Sequence, residues 1–554
     1  MKNTFKYVIA VMGLGFLFST CEAFLETKPL DKMVEEDYWK TRADVQSVMN
    51  SCYKVMTSDN FMERILIGGE FRSDNIVQHS SRTDQKLKDI MDMAIQTDND
   101  LLKWQTFYTL INYCNRVLDR APKIIDIDPD YTHGMLTVDL GEMRALRAMA
   151  YFYLVRIYHD VPYIDFPYDD DTNPFSIPKT SGEKIVDEII ADLERAEDEV
   201  VFTHGMSTSR DSWIRQQTKG RFTKNAVRAL LADVCLWKAS GLPEVDRAEF
   251  YEKCIRACEA IEPSILVDGE DVGSDQRDGS ELMLIPSKGS MGAMPLSYFN
   301  VFYDGNSDES IFELQFDVLN SNNKLASYYG RGGDAARVNA SKLLATSSGE
   351  GGVFDREEDV RFHDSFAETG ANTKIYQIYK YVGDVRNGNN PQDYSYRIKS
   401  EVDETNWIFY RVPDVYLMEA EALVELDGAD NLAAALALVN KVYERSNPTA
   451  LPLSGSQYAS QETMRNLVLK ERRREFLFEG KRWFDLLRMA RREGNSIHLA
   501  DMVSQNSEYN SDVIKTKLSV MDALYLPIHR NELLSNTALK QNPYYDTDSL
   551  KIKN

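Results

Sequence analysis

The stretch Glu462–Arg492, ETMRNLVLKERRREFLFEGKRWFDLLRMARR, carries two helical patterns separated by Gly480. Its charged residues, mostly Arg and Glu, alternate with bulky apolar residues such as Phe476 and Trp483. An anion-binding site is one interpretation of so many arginines. The sequence favours another, a partly buried network of Arg–carboxylate bridges, because nearly every Arg has a Glu or Asp within helical reach. We therefore predict two helices that ion pairs fix to their neighbours.

Outside this stretch, eight segments show apolar residues at the spacing of an amphipathic helix. They are Ala43–Thr57, Leu101–Ala121, Asp139–Tyr158, Ser181–Glu199, Thr223–Ala239, Asp246–Ile261, Pro413–Leu426 and Asn431–Glu444. In the third of these, Asp139 and Glu142 resemble a capping box.

Four of these helices form two pairs. Thr223–Ala239 and Asp246–Ile261 are joined by a short Ser-Gly-Leu-Pro turn, and Pro413–Leu426 and Asn431–Glu444 by Asp-Gly. Small residues, mainly Ala and Gly, lie where the paired helices must approach closely. This is the packing of tetratricopeptide-like hairpins, in which each pair buries a face on the next. The sequence predicts a mostly α fold built from such pairs.

Two long segments of different composition interrupt the helices. Gly269–Tyr298 is rich in Gly, Asp, Ser and Met, and Ser321–Asn406 in Gly, Asn, Tyr and Arg. Ile311–Phe316 and Lys374–Tyr381 are strand-like. Long irregular segments inside a compact protein are usually functional or disordered. We predict an irregular α+β lobe over about residues 269–406, packed against helical repeats over about 41–262 and 411–492, that carries ligand-binding loops.

The N-terminus has the order of a secretory signal peptide. Lys2 and Lys6 are followed by the apolar run Tyr7–Phe18, by two small polar residues and by Cys21. The run is too short to span a bilayer, which takes about 20 residues of helix. A Cys at this point indicates a lipoprotein signal over residues 1–20, cleavage before Cys21 and lipidation of that residue, which leaves a body of residues 21–554. An ordinary secretory cleavage site is the alternative, because Thr20 stands where Gly or Ala is usual.

Composition excludes some classes of partner and chemistry. The chain has 554 residues and a formal net charge of −23, which argues against nucleic-acid binding, since that needs a basic surface. No zinc-ligand spacing, nucleophile elbow or phosphate-binding loop is present. We predict no catalytic residue, no metal and no cofactor. A carboxylate pair for glycoside hydrolysis stays open, because such pairs arise by chance among 87 acidic residues.

Six cysteines are present, and five remain if Cys21 carries lipid. An odd number scattered through a large chain is not a disulfide framework. Cys254 and Cys258 share a helix face, but no Cys or His pair with ligand spacing lies near them in sequence. We predict buried core thiols, as free Cys is among the most buried residue types.

Four stretches together resemble the SusD/RagB family, the surface lipoproteins of glycan and peptide uptake systems in Bacteroidetes. They are Phe24-Leu25-Glu26 with Pro29 and Tyr38-Trp39, Arg144–Pro162, Glu471–Arg488, and Tyr525-Leu526-Pro527-Ile528 with Asn531-Glu532 and Gln541-Asn542-Pro543. The resemblance implies tetratricopeptide-like helix pairs with an irregular lobe. It also implies a non-catalytic binder on the cell surface, lipid-anchored in the outer membrane. Its partner would be a SusC-like TonB-dependent outer-membrane barrel, to which it delivers ligand.

Candidate ligand contacts lie in two places. Arg72, Asp74 and Asn75 follow a Gly-Gly pair, where the family places polar contacts; a turn or helix cap is the alternative for the last two. Tyr328, Tyr329 and Arg331 offer stacking and hydrogen-bonding groups within the irregular lobe. The alternative for the tyrosines is the core of that lobe.

The resemblance leaves three functional hypotheses. Capture of an oligosaccharide or polysaccharide is the first, and capture of a peptide or glycopeptide, as in RagB, is the second. The third is a helical scaffold that binds no nutrient. An aromatic platform favours the glycan, a groove with strand edges and charge pairs favours the peptide, and absence of a pocket near the lobe favours the scaffold.

Overall fold

The computed structural model describes residues 38–82, 84–168, 176–205, 212–262, 265–266, 282–286, 299–330, 336–345, 352–356, 358–369, 375–386, 395–398, 402–506 and 511–546. The predicted signal peptide, Cys21 and Arg331 lie outside these ranges.

Nineteen α-helices dominate the described residues. They are α1 (Arg42–Met56), α2 (Asp59–Leu66), α3 (Gln85–Met91), α4 (Gln105–Ile124), α5 (His133–Tyr158), α6 (Gly182–Glu199), α7 (Ser212–Gly220), α8 (Lys224–Gly241), α9 (Ala248–Glu259), α10 (Asn323–Tyr329), α11 (Lys342–Ala345), α12 (Val360–Ser365), α13 (Val412–Leu426), α14 (Ala429–Ser446), α15 (Gln461–Glu475), α16 (Arg482–Glu493), α17 (Ile497–Ser504), α18 (Ser511–Leu518) and α19 (Arg530–Ser535).

Ten short strands accompany them. They are β1 (Ile76–Gln78), β2 (Ile265–Leu266), β3 (Leu282–Met283), β4 (Ser310–Leu314), β5 (Val338–Ala340), β6 (Phe366–Thr369), β7 (Ile375–Ile378), β8 (Gly383–Arg386), β9 (Ser395–Ile398) and β10 (Trp407–Arg411). They form five separate pairs, β1–β5, β2–β3, β4–β10, β6–β7 and β8–β9, of which only β2–β3 is parallel. The strand-like patches predicted near residues 311 and 374 correspond to β4 and β7.

The long helices pack against their neighbours along the chain. Helix α4 packs on α5, α5 on α6, α8 on α9, and α13 on α14, while α9 also contacts α13. Each helix thus covers the apolar face of the next, and the buried side chains join into one hydrophobic core. The predicted fold class, mostly α with tetratricopeptide-like helix pairs, is confirmed.

Helix α5 begins earlier than the sequence predicted. The side chain of Thr132 caps it by accepting a hydrogen bond from the N–H of Met135. Asp139 lies inside the helix and is buried, and its carboxylate accepts hydrogen bonds from Gln46 (2.8 Å) and the Tyr131 hydroxyl (3.0 Å). The capping-box prediction at Asp139 was therefore wrong: this carboxylate binds neighbouring elements and does not start the helix.

The stretch Glu462–Arg492 forms α15 and α16, with Gly480 in a left-handed conformation between them (φ 71°). Around their junction lies a charge cluster whose side chains are all 5% exposed or less. Its four cations and five carboxylates are Arg361, Lys380, Arg411, Arg445, Glu309, Asp359, Glu471, Glu475 and Glu479. The predicted network of Arg–carboxylate bridges is confirmed.

Arg411, the last residue of β10, lies at the centre of this charge cluster. Its guanidinium donates two hydrogen bonds to the Glu479 carboxylate (3.0 and 2.7 Å), one to the Glu475 carboxylate (2.5 Å) and one to the Glu309 carboxylate (2.8 Å). Such bidentate pairs fix geometry as well as charge. The cluster therefore locks β10 and the segment before β4 to the end of α15.

Candidate functional site

The loop after α2 holds three of the predicted ligand contacts, and the structure places all three in the interior. Arg72, Asp74 and Asn75 are each no more than 2% exposed. The Arg72 guanidinium donates to the carbonyl oxygens of Ala523 and Leu524, at 2.7 Å each. Arg72 therefore fastens this loop to the C-terminal segment.

Asp74 and Asn75 bind the arginines of α15 and α16. The Asp74 carboxylate accepts two hydrogen bonds from Arg482 (2.9 and 3.0 Å) and forms an ion pair with Arg473 (3.0 Å). Burial alone would raise the pKa of Asp74, but Arg473 and Arg482 lower it to about 2. Asn75 accepts a hydrogen bond from Arg473 (2.8 Å) and donates one to Glu70 (3.1 Å). Both side chains are thus engaged with interior partners.

The two tyrosines lie at the end of α10 and are also buried. Tyr328 is 1% exposed and Tyr329 is fully buried. The Tyr328 hydroxyl donates to Glu63 (2.7 Å), and the Tyr329 hydroxyl donates to the carbonyl oxygen of Phe478 (2.9 Å). This burial favours the alternative in which both tyrosines belong to the core. Their assignment to a ligand, and that of the loop after α2, stays a prediction.

Tyr328 is nevertheless connected to the surface, because its hydrogen-bond partner Glu63 lines an open groove of about 660 Å³. We call it the α1–α4 groove, since most of its walls come from the end of α1, the start of α2 and the start of α4. Its lining residues are Lys54, Val55, Ser58, Asn60, Glu63, Arg64, Asp100, Leu101, Lys103, Gln105, Thr106 and Thr109.

At the floor of the groove, the Glu63 carboxylate is fully engaged in hydrogen bonds and ion pairs. The Glu63 carboxylate accepts hydrogen bonds from Arg64 (2.9 Å), Lys324 (2.7 Å) and Tyr328 (2.7 Å). Burial would raise the pKa of Glu63, but the bonds from Lys324 and Tyr328 and the nearby charges lower it. Glu63 therefore stays ionised at neutral pH and ties α10 to α2 beneath the groove.

The walls carry a different chemistry. Ser58, Asn60, Gln105, Thr106 and Thr109 are neutral side chains with hydroxyl or amide groups. Each of these groups can both donate and accept hydrogen bonds. These side chains can therefore bind an uncharged ligand through both its hydrogen-bond donors and its hydrogen-bond acceptors.

A rigid turn borders the groove next to Lys54. Its tip carries Val318 and Leu319, which are 73% and 90% exposed. The Asp317 carboxylate accepts hydrogen bonds from the backbone N–H groups of Leu319 and Asn320, at 2.8 Å each. The Asn320 side chain accepts hydrogen bonds from Lys54 and from Thr57. Two apolar side chains are thus held in the solvent at the edge of a polar groove.

Two other grooves open on the described surface, of which one is mainly charged and the other combines charged residues with Tyr158 and Tyr525. One, of about 650 Å³, lies around His159, Lys179 and Arg491, and another, of about 520 Å³, lies around Arg247 and Arg465. The α1–α4 groove is connected to α10 through its lining residue Glu63, which accepts hydrogen bonds from Lys324 and Tyr328. Because the α1–α4 groove adjoins the predicted lobe and carries neutral hydroxyl and amide side chains beside its charged ones, it is the candidate site for a nutrient.

Within the described ranges, no three His, Cys, Asp or Glu side chains converge in a way that would hold a metal ion. None of the helices described there is long and apolar enough to cross a membrane.

Comparison with known proteins gives a consistent result along the chain. The model of the SusD family matches residues 361–545, and a second family model, described as "Starch-binding associating with outer membrane", matches residues 23–236. A SusD-like protein of Formosa agariphila is 25% identical over 88% of this chain and 91% of its own length, and a second one is 24% identical over 97% and 99%. The fold of a SusD homolog from Bacteroides thetaiotaomicron covers 92% of this chain and 99% of its own, with a TM-score of 0.69 and 20% identity.

Proposed function

Because this chain belongs to the SusD family, we propose that it is a cell-surface lipoprotein that captures a nutrient without chemically altering it. The ligand is an oligosaccharide or polysaccharide, held in the α1–α4 groove and delivered to a TonB-dependent outer-membrane transporter. The observation that carries the proposal is the lining of this groove: neutral hydroxyl and amide side chains beside an exposed apolar turn.

Sugars present polar and apolar surfaces at the same time. Their hydroxyl groups donate and accept hydrogen bonds, as do the side chains of Asn60, Gln105 and Thr109. Their rings also carry flat apolar faces, which pack against apolar side chains such as those of Val318 and Leu319. A groove of about 660 Å³ lies within the usual range of ligand sites, about 300–1,000 Å³. The family description that mentions starch binding supports the same class of ligand.

Peptide capture is the second candidate, and the charges of the groove favour it. Arg64 pairs with Glu63 at 2.9 Å, and Lys103 pairs with Asp100 at 2.6 Å. No aromatic ring is among the described residues that line the groove, and an aromatic platform is what most favours a glycan. A scaffold without ligand is less well supported, because an open groove adjoins α10.

The double variant Gln105→Ala/Thr109→Ala is expected to lose affinity for the ligand by roughly tenfold or more, since each lost hydrogen bond is worth about 0.5–1.5 kcal/mol. Affinity gels with a panel of polysaccharides would identify a ligand, and calorimetry would then measure the loss. Folding should not change, because Gln105 is exposed and Thr109 half-buried on the surface of α4.

Thr137→Ala is the matched control. The Thr137 hydroxyl donates to the carbonyl oxygen of His133 (2.9 Å), as the Thr109 hydroxyl does to that of Gln105 (3.1 Å), but Thr137 is not part of the groove. Equal binding by wild type and the double variant would place the site elsewhere. Retention of peptides with no retention of any polysaccharide would support the second candidate.

The proposed anchor has its own prediction. Cys21→Ala should move the protein from the outer-membrane fraction to the soluble fraction, because a lipidated Cys21 would be the attachment to the membrane. Fractionation followed by immunoblotting measures this. If the variant stays with the membrane as the wild type does, lipid on Cys21 is not the anchor.

A further inference from the structure

Two cysteines from distant parts of the sequence meet between α1 and α4, two of the helices that line the α1–α4 groove. Cys52 lies in α1 and Cys114 in α4, 62 positions apart, and both side chains are fully buried. Their sulfur atoms are 3.9 Å apart. The helices that carry them also carry groove residues, Lys54 in α1 and Thr109 in α4. The sulfur pair therefore lies between two helices that also contribute residues to the groove.

We propose that Cys52 and Cys114 form a redox-active dithiol, which a low-molecular-mass disulfide such as oxidised glutathione converts into a disulfide that cross-links α1 to α4. This goes beyond nutrient capture and does not depend on which ligand binds. Its relevance in the cell rests on export of the protein, since disulfides persist outside the reducing cytosol.

The chemistry is thiol–disulfide exchange in two steps. The thiolate of one cysteine attacks a sulfur of oxidised glutathione, which forms a mixed disulfide and releases one glutathione thiolate. The second cysteine then attacks the protein sulfur of that mixed disulfide and releases the other glutathione. Two electrons pass from the protein to the glutathione disulfide, and the two thiol protons end on the two glutathione molecules.

A second pair of neighbouring cysteines, Cys254 and Cys258, serves as an internal comparison. They are four residues apart in α9, and Cβ atoms at this spacing on a helix are about 5–6 Å apart. A disulfide needs Cβ atoms about 3.5–4.5 Å apart. A rigid helix therefore keeps this pair reduced, whereas Cys52 and Cys114 lie on two different helices, so their separation is not fixed by a single helical backbone.

Burial controls the rate of the reaction. Desolvation raises the pKa of the Cys52 thiol well above its ordinary value, and the adjacent Cys114 raises it further. Because the thiolate is the nucleophile, exchange in the closed native state is slow. Oxidation should proceed through local opening, so the test is best made in urea just below the unfolding transition.

The full-length protein would be equilibrated there with glutathione buffers that range from fully reduced to fully oxidised, and then quenched by acid. Peptide mapping by mass spectrometry should show one cross-link, between the peptides that contain Cys52 and Cys114, with a mass loss of about 2 Da. Cys235, Cys254 and Cys258 should remain thiols. The oxidised protein should melt about 5 °C higher, and the shift should disappear on reduction. Amide hydrogen exchange in α1 and α4 should slow in the oxidised form.

Cys114→Ala should lose the cross-link and the redox-dependent shift in melting temperature, and Cys235→Ala should keep both. The map of the wild-type protein decides the question even if a variant folds poorly. Cys52 and Cys114 that stay reduced in every buffer, or a cross-link between any other pair, would overturn the proposal.

Discussion

Replacing Glu475 with Gln is expected to lower the free energy of unfolding by about 3–5 kcal/mol, the usual cost of breaking a buried ion pair by removing one partner. The Glu475 carboxylate is 1% exposed and contacts Arg361 (3.0 Å), Arg411 (2.5 Å) and Arg445. Gln keeps the shape of the side chain but leaves three buried guanidinium groups with one negative charge fewer. Urea denaturation at neutral pH measures the loss.

The same carboxylate makes the effect depend on pH. Burial alone would raise the pKa of Glu475, but Arg445, Arg411 and Arg361 hold it well below its ordinary value of 4.5. A carboxyl whose pKa is lowered on folding contributes stability above its unfolded pKa and loses it as the pH falls through the folded pKa. The difference between wild type and Glu475→Gln should therefore be full at pH 7 and shrink as the pH falls below about 4.5.

Glu444→Gln is the control for this variant. Glu444 lies in α14 and is exposed, so the same loss of charge should change stability by less than about 0.5 kcal/mol. If Glu475→Gln is as stable as Glu444→Gln, or if its deficit does not change with pH, the charge cluster is not holding the fold together through this carboxylate.

The charge cluster shows which ion pairs can be predicted from the sequence and which cannot. Spacing within a helix predicts the pairs Arg474–Glu471 and Arg488–Asp485, and the structure has both, at 3.2 and 2.9 Å. It cannot predict that Glu475 binds Arg361, which lies 114 positions earlier in the chain. That a network exists follows from local composition, but its partners follow from how distant segments pack.

Helix boundaries were easier to predict because capping is local. The predicted segment Ser181–Glu199 corresponds to α6, which follows Ser181 directly. Thr223 begins the predicted helix after it, and its side chain caps α8 by accepting a hydrogen bond from the N–H of Ala226. Thr223 thus caps its helix through its side chain, whereas Ser181 precedes α6 without a side-chain capping hydrogen bond.

The candidate site could not be read in the same way. Two adjacent tyrosines beside a Gly-Arg pair have the same composition whether they form a surface platform or a core, and only packing buries Tyr328 against Glu63 and Phe71. Conversely, Gln105 and Thr109 look like an ordinary solvated helix face in the sequence. They become candidates only because α1 and α2 fold over α4 and leave a groove between them.

The second large effect is expected from Gly69→Ala, which should lower the free energy of unfolding by 3 kcal/mol or more, beyond the roughly 1–3 kcal/mol usual for an overpacked core. Gly69 lies in the π-helical turn Ile67–Phe71 and is buried against the backbone of Gly480. A Cβ atom there would overlap the carbonyl oxygen of Gly480 and lie 2.6 Å from its carbonyl carbon. Backbone atoms cannot move aside by changing rotamer, so α2 and the α15–α16 junction would have to separate.

Two further glycines turn this expectation into a ranking that urea denaturation can test. Gly134 lies near the start of α5 with open space where a Cβ would be, so Gly134→Ala should be neutral or stabilise by about 0.5–1 kcal/mol. Gly480 has a φ of 71°, and its Cβ would lie 3.1 Å from the Trp407 ring, so Gly480→Ala should cost about 1–2 kcal/mol in backbone strain. The order of stability should be Gly134→Ala, wild type, Gly480→Ala and then Gly69→Ala. A Gly69→Ala protein as stable as wild type would show that the π-helical turn Ile67–Phe71 and the α15–α16 junction do not meet at their backbones, and the burial of Asp74 against Arg482 would lose its structural basis.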